Sequence, residues 1–210
     1  MIKILIADDH LVVRKGLRQI LSGAGDIVVG GEAADGAEAV SMIGKNTYDV
    51  VLLDISMPGR NGLDTLKQIK MYHPNLPVLM LSMHPEEDYA VRCYRAGAAG
   101  YLKKDTTSEE MLTAIRKVAR GGRYVMPSLV DKLPFAWETA AEEPLHGQLS
   151  DREYQIMRMY AGGKTTTQIA RELSLSAQTI STYKARILEK MKMPSMAHVM
   201  RYAIENGLSP

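Results

Sequence analysis

Over its first 120 residues the chain repeats one pattern five times, and that repeat limits its fold more than any other feature. Short apolar or β-branched runs at 3–7, 27–31, 50–53, 78–81 and 100–103 alternate with segments of helical apolar spacing at 11–21, 37–43, 62–71, 89–95 and 111–118. Runs that are apolar throughout suit strands buried on both faces, and strands alternating with helices are joined by crossovers. The expected class is therefore α/β: a doubly wound, five-stranded parallel sheet with helices on both sides. Sites in such sheets form at the carboxyl ends of the strands. The last helix is preceded by Thr107-Ser108-Glu109-Glu110, which has capping-box spacing.

The rhythm breaks after residue 120. Gly121-Gly122 closes a helix, and Pro127, Pro134 and Pro144 follow. This predicts a linker over 121–148 with a short helix near 128–133, in which Phe135 and Trp137 are either docked anchors or free linker. From Leu149 onward the spacing is purely helical. Ser150-Asp151-Arg152-Glu153 is a second capping box, and helices are expected near 151–161, 166–173, 177–191 and 196–206. The middle pair, separated by a three- or four-residue turn, has helix-turn-helix proportions. The chain thus reads as two small domains, 1–120 and 149–210. Charge separates them. Residues 1–120 carry 15 Lys/Arg and 15 Asp/Glu, 121–148 carry 2 and 4, and 149–210 carry 9 and 5. A basic carboxyl-terminal domain suits a polyanionic partner. No apolar run is long enough to span a bilayer, and acids interrupt the amino-terminal apolar stretch too early for a signal peptide, so no membrane association is expected. Cys93 is the sole cysteine, which excludes an internal disulfide and fits a cytoplasmic setting; as a lone cysteine it reads as a small buried apolar residue.

Candidate chemistry sits at the strand ends. Asp8 and Asp9 end the first strand and Asp54 the third, and these strands are neighbours in a doubly wound sheet. Converging carboxylates repel and desolvate one another, and a hard divalent cation relieves this. Mg²⁺ prefers oxygen ligands and retains water, which suits a shallow site. Ser82 ends the fourth strand and Lys104 follows the fifth. A carboxylate nucleophile flanked by a hydroxyl, an ammonium and a cation fits phosphoryl transfer onto Asp54. Taken singly, an Asp or Ser after a strand is usually a helix cap, and Lys104 a solvated charge. Five such residues around one site outweigh those plainer readings.

Ile6-Ala7-Asp8-Asp9-His10, Leu53-Asp54-Ile55-Ser56-Met57-Pro58-Gly59, Leu81-Ser82 and Gly97-Ala98-Ala99-Gly100-Tyr101-Leu102-Lys103-Lys104 resemble the receiver domain of two-component response regulators. The resemblance implies that Asp54 accepts phosphate from a sensor histidine kinase. It implies that Asp9, Asp54 and the Ser56 carbonyl ligate Mg²⁺ directly, with Asp8 acting through water. It also makes Ser82 and Tyr101 a switch pair, the hydroxyl moving toward the phosphoryl group as the ring turns inward. Asp105 stands where many receivers have proline, so no cis bond is assumed there.

In the second domain, 177–191 is the expected reading helix, with Ser176 as its N-cap. Ile180, Ile187, Leu188 and Met191 form an inward stripe, and Ser181, Thr182, Lys184 and Ala185 lie largely outward. A slim polar front suits entry into the major groove, with helix amides and basic residues on phosphates. Leu149-Ser150-x-Arg152-Glu153, Gly163-Lys164-x-Thr166-x-Gln168-Ile169-Ala170 and Ser176-x-x-Thr179-Ile180-Ser181 resemble the LuxR-type four-helix domain. With the receiver upstream, the chain is similar to the NarL/FixJ subgroup, and within it to GacA/UvrY-like regulators. That implies a transcription regulator rather than an enzyme, with double-stranded DNA, RNA polymerase and a second copy of itself as partners. Thr166, Thr167, Gln178, Thr179, Ser181, Thr182, Tyr183, Lys184 and Arg186 are the expected DNA contacts. Thr165–Thr167, Ser181 and Tyr183 replace the Ser-Asn-Lys, Lys and His common in the family, which leaves the target sequence open. Two other classes compete with this reading. One is a phosphorelay receiver whose tail only dimerises. The other is a haloacid-dehalogenase-like phosphatase, disfavoured because Ser56 stands where that family places its acidic residue.

Overall fold

The five apolar runs form strands β1 (Ile2–Ala7), β2 (Ile27–Ala33), β3 (Val50–Asp54), β4 (Val78–Ser82) and β5 (Gly100–Lys103) in a computed structural model, which describes residues 1–57, 61–82, 87–125 and 144–209. All pairings are parallel, in the order β2-β1-β3-β4-β5. The crossovers are α1 (Leu11–Ser22), α2 (Gly36–Lys45), α3 (Gly62–Tyr72) and α4 (Glu87–Arg95), and α5 (Ser108–Ala119) follows β5. β3 and β4 are buried at every position because helices cover both faces, which is why their sequences run apolar without alternation. On one face Ile4, Ile6, Val50, Leu52, Leu79, Leu81 and Leu102 pack with Leu17 and Leu21 of α1 and with Met111, Ile115 and Val118 of α5. Each such side chain contributes about 2 kcal/mol by leaving water. Cys93 is buried on α4.

Helices α2, α3 and α5 start at side-chain caps, α1 does not, and one expected detail is corrected. The Thr107 side chain accepts from the Glu110 amide, but the reciprocal half of the expected box is missing. The Glu110 carboxylate instead accepts from Thr106 Oγ1 (2.6 Å) and from the Tyr124 hydroxyl. No peptide bond among the described residues is cis.

The chain divides into two compact units, Met1–Ala136 and Trp137–Pro210. The division falls outside the described residues, as do the helix expected near 128–133, Phe135 and Trp137. Both ends of the expected linker are structured. Tyr124 pairs with Gly100 beside β5, and a 3₁₀ turn at Leu145–Gln148 sets His146 against Tyr154 and Tyr202. Gly- and Pro-rich composition concealed these aromatic anchors. The second unit holds α6 (Asp151–Ala161), α7 (Thr166–Glu172), α8 (Ala177–Met191) and α9 (Met196–Glu205) around Ile156, Met157, Ile169, Ile180, Ile187 and Val199. Ser150 and Glu153 form the full capping box, and Ser176 caps α8. No helix among the described residues is long and apolar enough to cross a membrane.

Candidate phosphoacceptor site and helix-turn-helix face

Because β1 and β3 are adjacent and in register, Asp8 and Asp54 emerge side by side at their carboxyl ends. Both are buried, at 0 % and 1 % exposure. Lys104, just past β5, reaches between them: its Nζ lies 2.7 Å from Asp8 Oδ2 and 2.9 Å from Asp54 Oδ2. Burial pushes the Asp54 carboxyl above its ordinary range, and the Lys104 ammonium opposes that rise. Burial alone would lower Lys104, but Asp54 and Asp8 hold it above its usual value. Asp9 is half-buried on the rim, where its Oδ1 lies 2.7 Å from His10 Nδ1.

Ligand atoms of Asp8, Asp9, His10 and Asp54 fall within 4.8 Å of one another. Asp8 Oδ2, Asp9 Oδ1 and both Asp54 oxygens lack well-aligned hydrogen-bond donors, even with Lys104 at ion-pairing distance. Buried carboxylate oxygens in that state fit a hard cation. Ser56 lies two residues past β3 and is exposed, and its main chain helps to hold the Asp54 carboxyl down. Ser82 ends β4 and is buried, and it shares a hydrogen bond with the Tyr101 hydroxyl. The Tyr101 ring is fully buried, and burial raises its hydroxyl far above an ordinary phenol. The structure therefore brings Asp8, Asp9, Asp54, Ser82, Tyr101 and Lys104 together.

Several supporting residues were missed in the sequence. Arg14 donates to the Asp8 carbonyl at 2.7 Å. Asn61 is buried and caps α3 by accepting from the Asp64 amide at 2.8 Å. Gly62 lets α3 start against the end of β3, since a Cβ there would meet the Asp54 carbonyl oxygen at 2.0 Å. The Asn-Gly pair before an apolar helix was the available signal. A broad open cleft lined by Lys3, Tyr48, His73 and Pro77 lies at the opposite ends of the strands and contains none of these carboxylates.

In the second unit the expected contacts separate into two groups. Thr167, Gln178, Ser181, Thr182 and Arg186 are exposed. Thr166 is engaged internally through Tyr160 (2.9 Å), and Thr179 through Ser176 (2.8 Å). Tyr183 and Lys184 are half-buried, so Lys184 lies less outward than expected, and Leu188 of the inward stripe is likewise only half-buried. The Ser181 and Thr182 hydroxyls donate to the carbonyls of Ala177 and Gln178, at 3.0 and 3.1 Å. That leaves their lone pairs facing solvent as acceptors.

A doubly wound sheet with a buried carboxylate–lysine cluster, joined to a four-helix unit containing a helix-turn-helix, defines a class of phosphorylation-dependent regulators. Residues 4–116 match the response regulator receiver domain, and residues 147–203 match the bacterial regulatory proteins of the luxR family. The chain belongs to the two-component response regulators with a LuxR-type DNA-binding domain. It is 36 % identical over 209 residues to the response regulator UvrY of Escherichia coli K12, covering 99 % of this chain and 96 % of that one. It is 34 % identical over 209 residues to the response regulator GacA of Pseudomonas aeruginosa, covering 99 % and 98 %. Among solved structures, RcsB of Salmonella enterica serovar Typhimurium, bound to promoter rprA in the presence of the phosphomimetic BeF3-, superposes with a TM-score of 0.63. That match has 25 % identity and covers 96 % of this chain and 98 % of RcsB. The signal receiver domain of the putative response regulator NarL of Mycobacterium tuberculosis matches at 37 % identity and a TM-score of 0.54, covering 57 % and 97 %.

Proposed function

We propose that Asp54 accepts a phosphoryl group from the phosphohistidine of a sensor histidine kinase, and that this controls sequence-specific DNA binding and transcription. The observation that carries this reading is the buried Asp54 carboxylate held by Lys104 beside Asp8 and Asp9. An Asp54 oxygen attacks phosphorus, the P–N bond breaks, and the imidazole leaves and takes up a proton. Lys104 neutralises charge on the transferred oxygens, and Ser82 donates a hydrogen bond to one of them. Mg²⁺ held by Asp9, Asp54 and the Ser56 carbonyl, with Asp8 through water, would supply further charge neutralisation. In this reading 1–120 is the receiver, 121–148 the joint and 149–210 the DNA reader, acting in the cytoplasm as a homodimer that engages RNA polymerase.

On DNA, α8 enters the major groove. Ser181, Thr182 and Ala185 are short and uncharged, so none makes the bidentate guanine contact of Arg or Lys. As acceptors the two hydroxyls favour the amino groups of adenine or cytosine. Gln178 and Tyr183 flank this front, Thr166, Thr167 and Thr179 line the approach to the backbone, and Lys184 and Arg186 hold phosphates. Weak reading by one unit makes a dimer on a near-palindromic site the economical arrangement.

Intact-mass measurement with acetyl phosphate tests the chemistry. One phosphoryl adduct is expected, absent in Asp54→Ala and with EDTA. Full labelling of Asp54→Ala at a different single residue would remove Asp54 from its role.

A further inference from the structure

The residues that follow α5 are fastened across the outer edge of β5. The Tyr124 amide donates to the Ala99 carbonyl at 2.8 Å, and Tyr124 bridges Gly100 in strand fashion. From α4, the Tyr94 hydroxyl donates to the Tyr124 carbonyl at 2.6 Å. From α5, Glu110 accepts the Tyr124 hydroxyl and is itself steadied by Thr106 Oγ1. Burial and the neighbouring Glu110 push the Tyr124 hydroxyl up to about 12, so it stays a donor at neutral pH. A Cβ at Gly100 would lie 2.9 Å from the Tyr124 carbonyl oxygen and 2.5 Å from Leu79 Cδ2, so the clasp needs glycine there. One residue thus ties α4, β5 and α5 together just after α5 ends.

The same strand carries Tyr101, adjacent to Gly100, and Tyr101 shares a hydrogen bond with Ser82 at the end of β4. Asp54 and Ser82 thus lie at the ends of the neighbouring strands β3 and β4, and Gly100, next to Tyr101 on β5, bridges the Tyr124 that Tyr94 holds by its carbonyl. We infer that this Tyr94–Tyr124–Glu110 clasp transmits the state of Asp54 to the segment leading to the DNA-binding unit, closing when the site is loaded. The inference rests on the phosphoacceptor reading above. A serine hydroxyl can donate to a phosphoryl oxygen and accept from Tyr101 at once. Loading then favours the inward ring, fixes α4, and holds Tyr94 on Tyr124. A ring that turns out displaces α4 and releases the carbonyl. This is a shift between two states that interact differently with the phosphoryl group.

The test is hydrogen exchange on the full chain with Mg²⁺, with and without beryllofluoride, with loading followed separately by fluorine NMR. In wild type, loading should slow exchange across 122–125. In Tyr94→Phe, which removes a single hydroxyl, loading should be unchanged. Exchange there should start roughly 5- to 10-fold faster, the effect of one lost hydrogen bond, and should no longer respond. Glu110→Gln approaches the clasp from α5 and should also weaken the response. Loading of wild type with no change at 122–125, or a full response in Tyr94→Phe, would overturn the clasp while leaving the phosphoacceptor reading intact. Failure of wild type to load would sink that reading, and the clasp with it.

Discussion

Lys104→Met removes a buried counter-charge while keeping the length of the side chain. Two carboxylates at 0 % and 1 % exposure then face each other without their shared ammonium. At an effective dielectric near 20, contacts of 2.7 and 2.9 Å are each worth ~6 kcal/mol of direct attraction. Most of that offsets the cost of desolvating three charges, so the net loss on removing one partner is about 3–5 kcal/mol. Part of the strain will be relieved by proton uptake at Asp54, already raised by burial and now without its opposing ammonium. Divalent cation can take over the same task, so the variant should gain more from it than wild type does. Calorimetry of the full chain, with Mg²⁺ varied at fixed ionic strength, reads both effects on the cation-sensitive transition. That transition should fall markedly in Lys104→Met in EDTA and recover a larger share with Mg²⁺. Wild-type stability in EDTA, or an equal Mg²⁺ response in the two proteins, would refute the reasoning.

The helical unit should lose stability in acid through Glu153. Burial would raise its carboxyl, but Lys190 and Ser150 outweigh that and hold it below the ordinary value of 4.5. The contribution is present above that value and disappears as pH falls through the lowered one; a circular-dichroism titration in which Lys190→Met leaves the acid midpoint unmoved would count against it. On DNA, Lys184→Ala should weaken specific and nonspecific sites alike and flatten the salt dependence, whereas Thr182→Ala should alter base preference with little loss of nonspecific affinity. Binding titrations at several salt concentrations check both, and interchanged effects would reverse the assignments.

The strands were legible because β3 and β4 are buried on both faces and therefore apolar at every position. The acidic cluster was legible because topology alone brings the ends of β1 and β3 together. Gly62, Arg14 and Asn61 escaped notice because their importance lies in tertiary approach: a helix start pressed on a carbonyl, a guanidinium folded back, a buried cap. Local pattern also misassigned Glu110, where Tyr124 and Thr106 compete successfully for a carboxylate expected to close a capping box. Thr166 and Thr179, both expected DNA contacts, also hydrogen-bond within the helical unit, to Tyr160 and Ser176. Side-chain hydroxyls choose between neighbours and solvent by geometry that spacing does not encode.

Control of DNA binding from Asp54 is tested most directly by genome-fragment selection and binding titration with the full chain, wild type beside Asp54→Ala, with Mg²⁺ and with or without acetyl phosphate. For wild type, the donor should raise affinity for the selected sites by about 5- to 150-fold, the usual span of coupling between sites. Asp54→Ala should bind with the unloaded affinity in both conditions. An equal gain in Asp54→Ala, or wild-type binding indifferent to a donor that demonstrably labels the protein, would contradict control of DNA binding from this carboxylate.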